Sequence, residues 1–301
     1  MATHVGTNFL RSEKARAVTV READTTSKLM TARPLPENFH SLHEWEERLR
    51  AQSLSEIARV EDLACHMRAL ESAMNTIEHY ARSWETDDQN KLTIQLLGVR
   101  LFDGAAASLK LLLSGYYQPA AAHARDLLET SFLLDYFRVD DTLIAVWRTA
   151  KERKQRDRFR PDVVRKTLDA RDRFTGEKRA EQYRLLSIYA AHPNPQGFRM
   201  LRRTPEGLAL IGPFFELQAL GAILAELVKI VTPAAHYFGY HFEPRLKIDY
   251  LVKIAFLQTG GEWLERFTGR PFDRAAVDEL KALALLAPAG VASWASHTEA
   301  P

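Results

Sequence analysis

The sequence predicts an all-α protein, a multi-helix bundle with a central antiparallel helix pair. Apolar residues recur every three or four positions through most of the chain, which is the period of an amphipathic helix. No stretch alternates apolar and polar residues as a half-buried strand does. Alanine triplets occur in "DGAAASLKLLLSG" and "QPAAAHARDLL", two successive predicted helices joined by a short turn. Because small residues let helices approach closely, these two segments give the predicted central pair.

The chain divides into three predicted parts. Residues 1–37 are polar, lack a sustained period and end in "ARPLPENF", whose prolines stop a helix, so they predict a flexible N-terminal arm. Residues 38–288 form the predicted single helical domain. Residues 289–301 are predicted to be a loose C-terminal tail.

The first half of the domain contains four predicted helices. One begins at Ser41, and a long amphipathic helix is predicted over residues 55–84. "TDDQ" offers an N-terminal cap to a third helix over about residues 88–114, and Gly115 ends it in the position that helices favour for glycine. The fourth helix is predicted over residues 118–138, since its proline lies in the first turn, where proline is tolerated.

The second half begins with three more predicted helices, which lie in "DDTLIAVWRTAKERKQ", "RPDVVRKTLDARDRF" and "GEKRAEQYRLLSIYAAH". Residues 192–212 contain three prolines and three glycines and are predicted to be the longest internal loop. Two apolar helices follow, over about residues 213–238 and 246–268. Asp273 is the predicted cap of a terminal helix.

Composition predicts a cytoplasmic protein without a membrane segment. Hydrophobic residues make up 46% of the 301 residues and charged residues 27%, as in globular proteins. No run approaches the roughly 20 uninterrupted apolar residues of a membrane span, and the N-terminus lacks the apolar core of a secretory signal. The single cysteine, Cys65, cannot form an intrachain disulfide, which suits a reducing compartment.

Positive charge is concentrated in one part of the chain. Residues 148–203 hold 17 Lys and Arg against 7 Asp and Glu, a net charge of +10, so the remainder carries −8 of the total of +2. Acidic residues are interspersed in this segment, so a solvated helical surface is one interpretation. The other is a surface that attracts the phosphates of RNA, DNA or a nucleotide.

No common catalytic or cofactor motif is present. The sequence lacks a Walker A loop, GxGxxG, HExxH, CxxC and GxSxG, and it has a single Glu-x-x-His, Glu37 with His40, where a di-iron bundle needs one on each of two helices. His236 and His241 are five residues apart and do not share a helix face. We therefore expect neither a cofactor nor a metal site.

The predicted fourth helix carries an arginine and a glutamate in its apolar middle. Arg125 and Glu129 are four residues apart and therefore adjacent on one helix face. On an exposed surface such a pair contributes only a few tenths of a kcal/mol, so simple helix stabilisation explains it poorly. Two hypotheses remain, an internal ion pair that fixes helix register and the polar lining of a cleft.

A second group of candidate residues lies in "EQYRLLSIYAAHPNP". Tyr183 and Ser187 are one helical turn apart, Arg184 lies between them, and His192 falls at the helix end before the long loop. A histidine at that position can be a cation stabilised by the helix dipole, or an acid, base or phosphate donor at the mouth of a cleft.

These residues carry a resemblance to a family. The succession "RLFDGAAASLKLLLSGYYQPAAAHARDLLET", a basic helical stretch and "YRLLSIYAAHPNP", over about residues 90–240, is similar to a group of uncharacterised bacterial helical proteins that distantly resemble the HEPN superfamily. That resemblance implies an RNase or nucleotide-binding module in stress or phage defence, and a homodimer formed through the helices that carry the site.

Three functions are consistent with these observations. In the first, the protein is a binding module for RNA or a nucleotide. Arg125 holds the anion, Glu129 orients Arg125, Ser187 and His192 reach into the cleft, and Tyr183 is a further ligand-binding residue. Further cations would extend the positive surface: Arg184, Arg199, Arg202 and Arg203. In the second, a metal-independent RNase uses His192 as general acid or base, with Arg125 or Arg184 stabilising the developing charge. The third is a non-catalytic scaffold.

Overall fold

The chain folds into a bundle of α-helices, as predicted. The structure is a computed structural model that describes residues 37–289 except 192, 194, 205 and 206, and omits the side chains of 152, 154–156 and 191. Within this part of the chain there are eleven α-helices and no strand. The helices are α1 (Glu37–Arg59), α2 (Glu61–Ser83), α3 (Gln89–Leu113), α4 (Tyr117–Phe137), α5 (Thr142–Thr149), α6 (Glu152–Phe159), α7 (Pro161–Arg171), α8 (Lys178–Leu186), α9 (Leu217–Tyr240), α10 (Lys247–Thr268) and α11 (Arg274–Leu286).

Three of the predicted features lie wholly or almost wholly outside the described residues. The predicted arm, residues 1–37, overlaps them only at Glu37, and the predicted tail, residues 289–301, only at residue 289. His192 is also outside them. The predicted loop after it contains a short 3-10 helix, Gly197–Leu201.

Two of the predicted helices are each divided in the structure. The helix predicted over residues 55–84 is interrupted at Val60, whose backbone is extended, with φ −105° and ψ 110°. Glu61 and Asp62 follow in the first turn of α2, where negative charge is favourable. The helix predicted in "DDTLIAVWRTAKERKQ" ends at Thr149, and extended backbone at Ala150 separates α5 from α6. Apolar periodicity alone did not reveal either interruption.

Helix α9 lies deep in the hydrophobic core. Leu224, Val228 and Val231 of this helix are fully buried, and α9 packs against α2, α3 and α4. Of the described helices, only α9 is long and apolar enough to cross a membrane, judged by length and composition. Half of its most apolar 18-residue stretch is buried inside the protein. A core helix of a soluble protein passes the same test.

Helices α3 and α4 pack closely where small residues meet. The hydroxyl of Ser108 donates to the carbonyl oxygen of Ala120 at 2.9 Å. A Cβ atom on Gly104 would lie 2.9 Å from a methyl group of Leu127. These contacts explain the small residues of both segments, while the role of α3 and α4 as a central antiparallel pair stays a prediction.

The turn between α3 and α4 requires glycine. Gly115 has φ +83°, in the left-handed region. A Cβ atom there would lie 2.4 Å from the carbonyl oxygen of Phe214, and the Phe214 amide donates to the Gly115 carbonyl oxygen at 3.4 Å. Gly115 therefore allows the segment before α9 to lie against the start of α4.

Candidate anion-binding site at Tyr183

Tyr183 of α8 contacts arginines from two other helices. Arg125 of α4 donates from Nη2 to the Tyr183 hydroxyl oxygen, and its guanidinium carbon lies 4.8 Å from the ring centroid. The guanidinium carbon of Arg165, on α7, lies 4.0 Å from the same centroid. Both distances are within the range of cation–π contacts. Helices α4, α7 and α8 thus bring two cations onto one aromatic ring.

Three donor atoms of these arginines are buried without a hydrogen-bond partner in the described part of the chain. They are Nε of Arg125 and both Nε and Nη1 of Arg165. A buried N–H without an acceptor costs roughly 1 to 3 kcal/mol, and more when it belongs to a charged group such as a guanidinium. A ligand with several acceptor oxygens would satisfy these donors.

One carboxylate offsets part of this positive charge. Glu129 Oε1 lies 3.3 Å from Nη2 of Arg125, and no other described carboxylate comes within 4.0 Å of Arg125 or Arg165. The side chains of Arg125 and Glu129 are 25% and 31% exposed. Because both residues belong to α4, their ion pair cannot fix the register between helices; the contact that joins α4 to α8 is Arg125 with Tyr183.

A buried ionic network at the end of α4 holds α7 and α8 in place. Asp135, with a side chain 1% exposed, accepts two hydrogen bonds from Arg171 at 2.9 and 2.8 Å and one from Arg138 at 3.2 Å. Arg179 of α8 donates to Asp169 at 2.8 Å and also to Asp172. The positive charges of the three arginines cancel the negative charges of the three aspartates, so the network has no net charge that would attract a ligand.

The same network lowers the pKa of one of its carboxyl groups. Hydrogen bonds from Arg171, with a further contribution from Arg179, lower the pKa of Asp172 to about 2, against the opposing effect of partial burial. The carboxylate is therefore ionised throughout the physiological range and keeps the two helices joined.

A cleft adjoins Glu129 on the side of α3, α5 and α7. Its volume is about 280 Å³. The polar lining consists of Arg100 and Asp126, which form an ion pair, with Glu129 and Thr130. The apolar lining consists of Leu97, Phe132, Leu133, Trp147, Phe159, Pro161 and Val164. The cleft is thus mainly apolar, with carboxylates on one wall.

The structure brings Arg125, Glu129 and Tyr183 together, and it places Ser187 and Arg184 differently from the cleft hypothesis. Ser187 donates its hydroxyl to the carbonyl oxygen of Tyr183 at 2.8 Å, and a π-helical turn, Ser187–Ala191, begins there. Arg184 is exposed and paired with Glu181 of its own helix at 2.7 Å.

The remaining predicted cations follow α8 in the chain. Arg199 and Arg203 are exposed, and Arg202 is half-buried. Residue 192 is not described, so the position of the His192 ring relative to the arginines stays a prediction.

Arg165 and Asp135 are not among the site residues that the sequence predicts. Arg165 is one of 17 cations in residues 148–203, and nothing in its local pattern separates it from the others. Asp135 carried a weak signal, because it interrupts the apolar run "SFLLDYF" on a helix predicted to be buried.

No family model, curated protein or solved structure matches this chain. The resemblance to the HEPN superfamily therefore stays a prediction, as do the homodimer and the cytoplasmic location.

Proposed function

We propose that this protein is a binding module for a phosphate-bearing ligand, RNA or a nucleotide, and that the phosphate binds beside Tyr183. Arg125 and Arg165 would donate to the phosphate oxygens, and Glu129 would hold Arg125 in position. The observation that carries this proposal is the set of three buried guanidinium donors on Arg125 and Arg165 that have no partner in the described part of the chain. Arginine is well suited to phosphate because its planar fork of N–H groups matches two oxygens at once.

The surrounding charge supports the proposal. The carboxylates of residues 148–203 are mostly paired within the segment: Asp162 with Arg160, Glu181 with Arg184, and Asp169 and Asp172 within the buried network. Other cations have no carboxylate within 4.0 Å among the described residues: Arg148, Arg158, Arg165, Lys166, Arg173, Lys178, Arg199 and Arg203. Such a surface raises the local concentration of an anionic ligand.

Two sources of phosphate can be distinguished experimentally. Single-stranded RNA would also contact the exposed cations, so its affinity should fall steeply between about 50 and 200 mM salt. A mononucleotide would contact no cations other than these two arginines, so its affinity should depend less on salt. Titration calorimetry with a short RNA and with a mononucleotide, each at both salt concentrations, separates the two cases. Absence of binding by both, and by inorganic phosphate, would refute the proposal.

The RNase hypothesis and the scaffold hypothesis make different predictions. The RNase hypothesis depends on His192 and stays a prediction. Cleavage of RNA in the presence of a chelator by wild type but not by His192→Ala would support it.

The scaffold hypothesis requires Arg125 and Glu129 to fix helix register. Since their pair is intrahelical and partly exposed, it should contribute little to stability, which favours the binding module.

A further inference from the structure

Glu129 connects the cleft to Arg125. Glu129 lines the cleft, and its Oε1 lies 3.3 Å from Arg125 Nη2. On α7, Val164 lines the cleft and the next residue is Arg165. A ligand that occupies the cleft and extends past Glu129 would therefore reach Arg125, and Arg165 lies on the same Tyr183 ring as Arg125.

The cleft differs from the arginine site in charge. Its charged lining residues are one cation, Arg100, and two anions, Asp126 and Glu129. A phosphate inside the cleft would face a net negative wall, so the anionic end of a ligand belongs beside Arg125 and Arg165. The carboxylate oxygens instead suit a neutral group with N–H donors.

Size and lining restrict that neutral group further. A volume of about 280 Å³ is close to the lower limit of about 300 Å³ for ligand pockets, so the cleft suits one ring system rather than a large ligand. Phe132, Trp147 and Phe159 provide aromatic surface for a flat ring. A nucleotide whose base carries N–H donors joins such a ring to a phosphate.

We infer that the cleft binds the base of such a nucleotide, with guanine preferred, an inference that rests on the proposed phosphate site. Guanine presents a ring N–H and an amino N–H side by side, and these match the two oxygens of a carboxylate such as Glu129. Hypoxanthine keeps the ring N–H but lacks the amino group. The comparison of GMP with IMP therefore isolates one hydrogen bond.

The test is titration calorimetry of the full chain with GMP, IMP and inorganic phosphate. GMP should bind about tenfold or more tightly than IMP, the change expected from one hydrogen bond to a charged acceptor. GMP should also bind at least about tenfold more tightly than inorganic phosphate, because stacking of its base adds to the affinity. Equal affinity for all three would overturn the inference while leaving the phosphate site intact. Absence of phosphate binding, together with absence of GMP binding, would instead refute the proposed function and this inference with it.

Two variants test the cleft directly. Trp147→Ala should lower the affinity for GMP about tenfold and leave the affinity for phosphate within about twofold of wild type. Glu129→Gln keeps the side-chain size and should abolish the preference for GMP over IMP; because Glu129 also holds Arg125, the readout is the ratio of these two affinities and not the phosphate affinity. If Trp147→Ala does not fold, the ratio of GMP to IMP affinity in Glu129→Gln still tests the inference. An unchanged ratio of GMP to IMP affinity in Glu129→Gln would overturn the inference.

Discussion

The guanidinium carbon of Arg165 lies 4.0 Å from the centroid of the Tyr183 ring, and Arg165 has no carboxylate within 4.0 Å among the described residues. Arg125 contacts the same ring and donates to its hydroxyl oxygen. Two guanidinium groups held this way repel one another, and three of their buried N–H donors have no acceptor among the described residues. An anion bound next to both guanidinium groups would offset their repulsion and accept hydrogen bonds from the unsatisfied donors.

Tyr183 is expected to position the arginines through its ring more than through its hydroxyl. Tyr183→Phe keeps the ring against which Arg165 lies and should leave the dissociation constant for phosphate within about threefold. Tyr183→Ala removes the ring that both arginines contact and should lower the affinity for phosphate by about tenfold or more. Calorimetric titration of both variants checks this, and wild-type affinity in Tyr183→Ala would contradict it.

Asp135 is expected to be essential for stability. Asp135→Asn leaves the Arg171 and Arg138 guanidinium groups without their buried carboxylate partner and should lower the free energy of unfolding by about 3 to 5 kcal/mol. Urea denaturation measures the change. Asp157→Asn is the matched control: Asp157 is exposed, so its loss should change stability by less than about 0.5 kcal/mol. Similar effects of the two substitutions would contradict the network described for Asp135.

Stability should fall in acid through Asp172. Its pKa is about 2 in the folded protein, below the ordinary 3.8, so its carboxylate stabilises the fold fully above about pH 5. The contribution, about 1 to 2 kcal/mol after allowance for partial exposure, is lost as the pH falls from about 4 to 2. Urea unfolding at several pH values should show a shallower acid dependence in Asp172→Asn than in Asp157→Asn. Identical slopes would contradict the prediction.

Gly115 and Gly176 provide a matched pair for the turn before α4. Both have positive φ, at +83° and +92°, but only Gly115 has backbone atoms where a Cβ would lie; nothing stands within 4 Å at Gly176. Each alanine substitution should cost about 1 kcal/mol of conformational strain. Gly115→Ala should cost at least about 1 kcal/mol more, because it must displace Phe214. Equal melting temperatures for the two variants would show that the Phe214 contact does not constrain this turn.

Local signals predicted much of the fold. Asp88 caps α3 by accepting from the Asn90 amide at 2.7 Å, and Asp273 caps α11 by accepting from the Ala275 amide at 3.1 Å, both as the sequence indicates. Side-chain caps depend on neighbours in the chain, so they can be predicted from sequence. The interruption at Val60 could not, because Val60 continues the apolar period although α1 ends with the hydrogen bond from Val60 to Glu56 and α2 begins with the one from Ala64 to Val60. Only the backbone of one residue changes there.

The candidate site was less predictable than the fold. Arg125 and Glu129 were found because charge is unusual on an apolar helix, and Tyr183 because it lies in a recognisable segment. Arg165 was missed because its importance depends on α7 crossing close to α8, a contact between helices that periodicity does not report. Arg184, by contrast, looks equivalent in sequence but pairs with Glu181 on the exposed side of α8.

The most direct test of the proposed site is calorimetric titration of inorganic phosphate into wild type, Arg165→Ala and Lys166→Ala. The two substitutions remove the same charge from adjacent positions of α7, but Lys166 is exposed and Arg165 lies against Tyr183. Wild type should bind phosphate, Arg165→Ala should bind about tenfold or more weakly with little loss of stability, and Lys166→Ala should stay within about threefold of wild type. Equal weakening by both substitutions, or none by Arg165→Ala, would contradict the site.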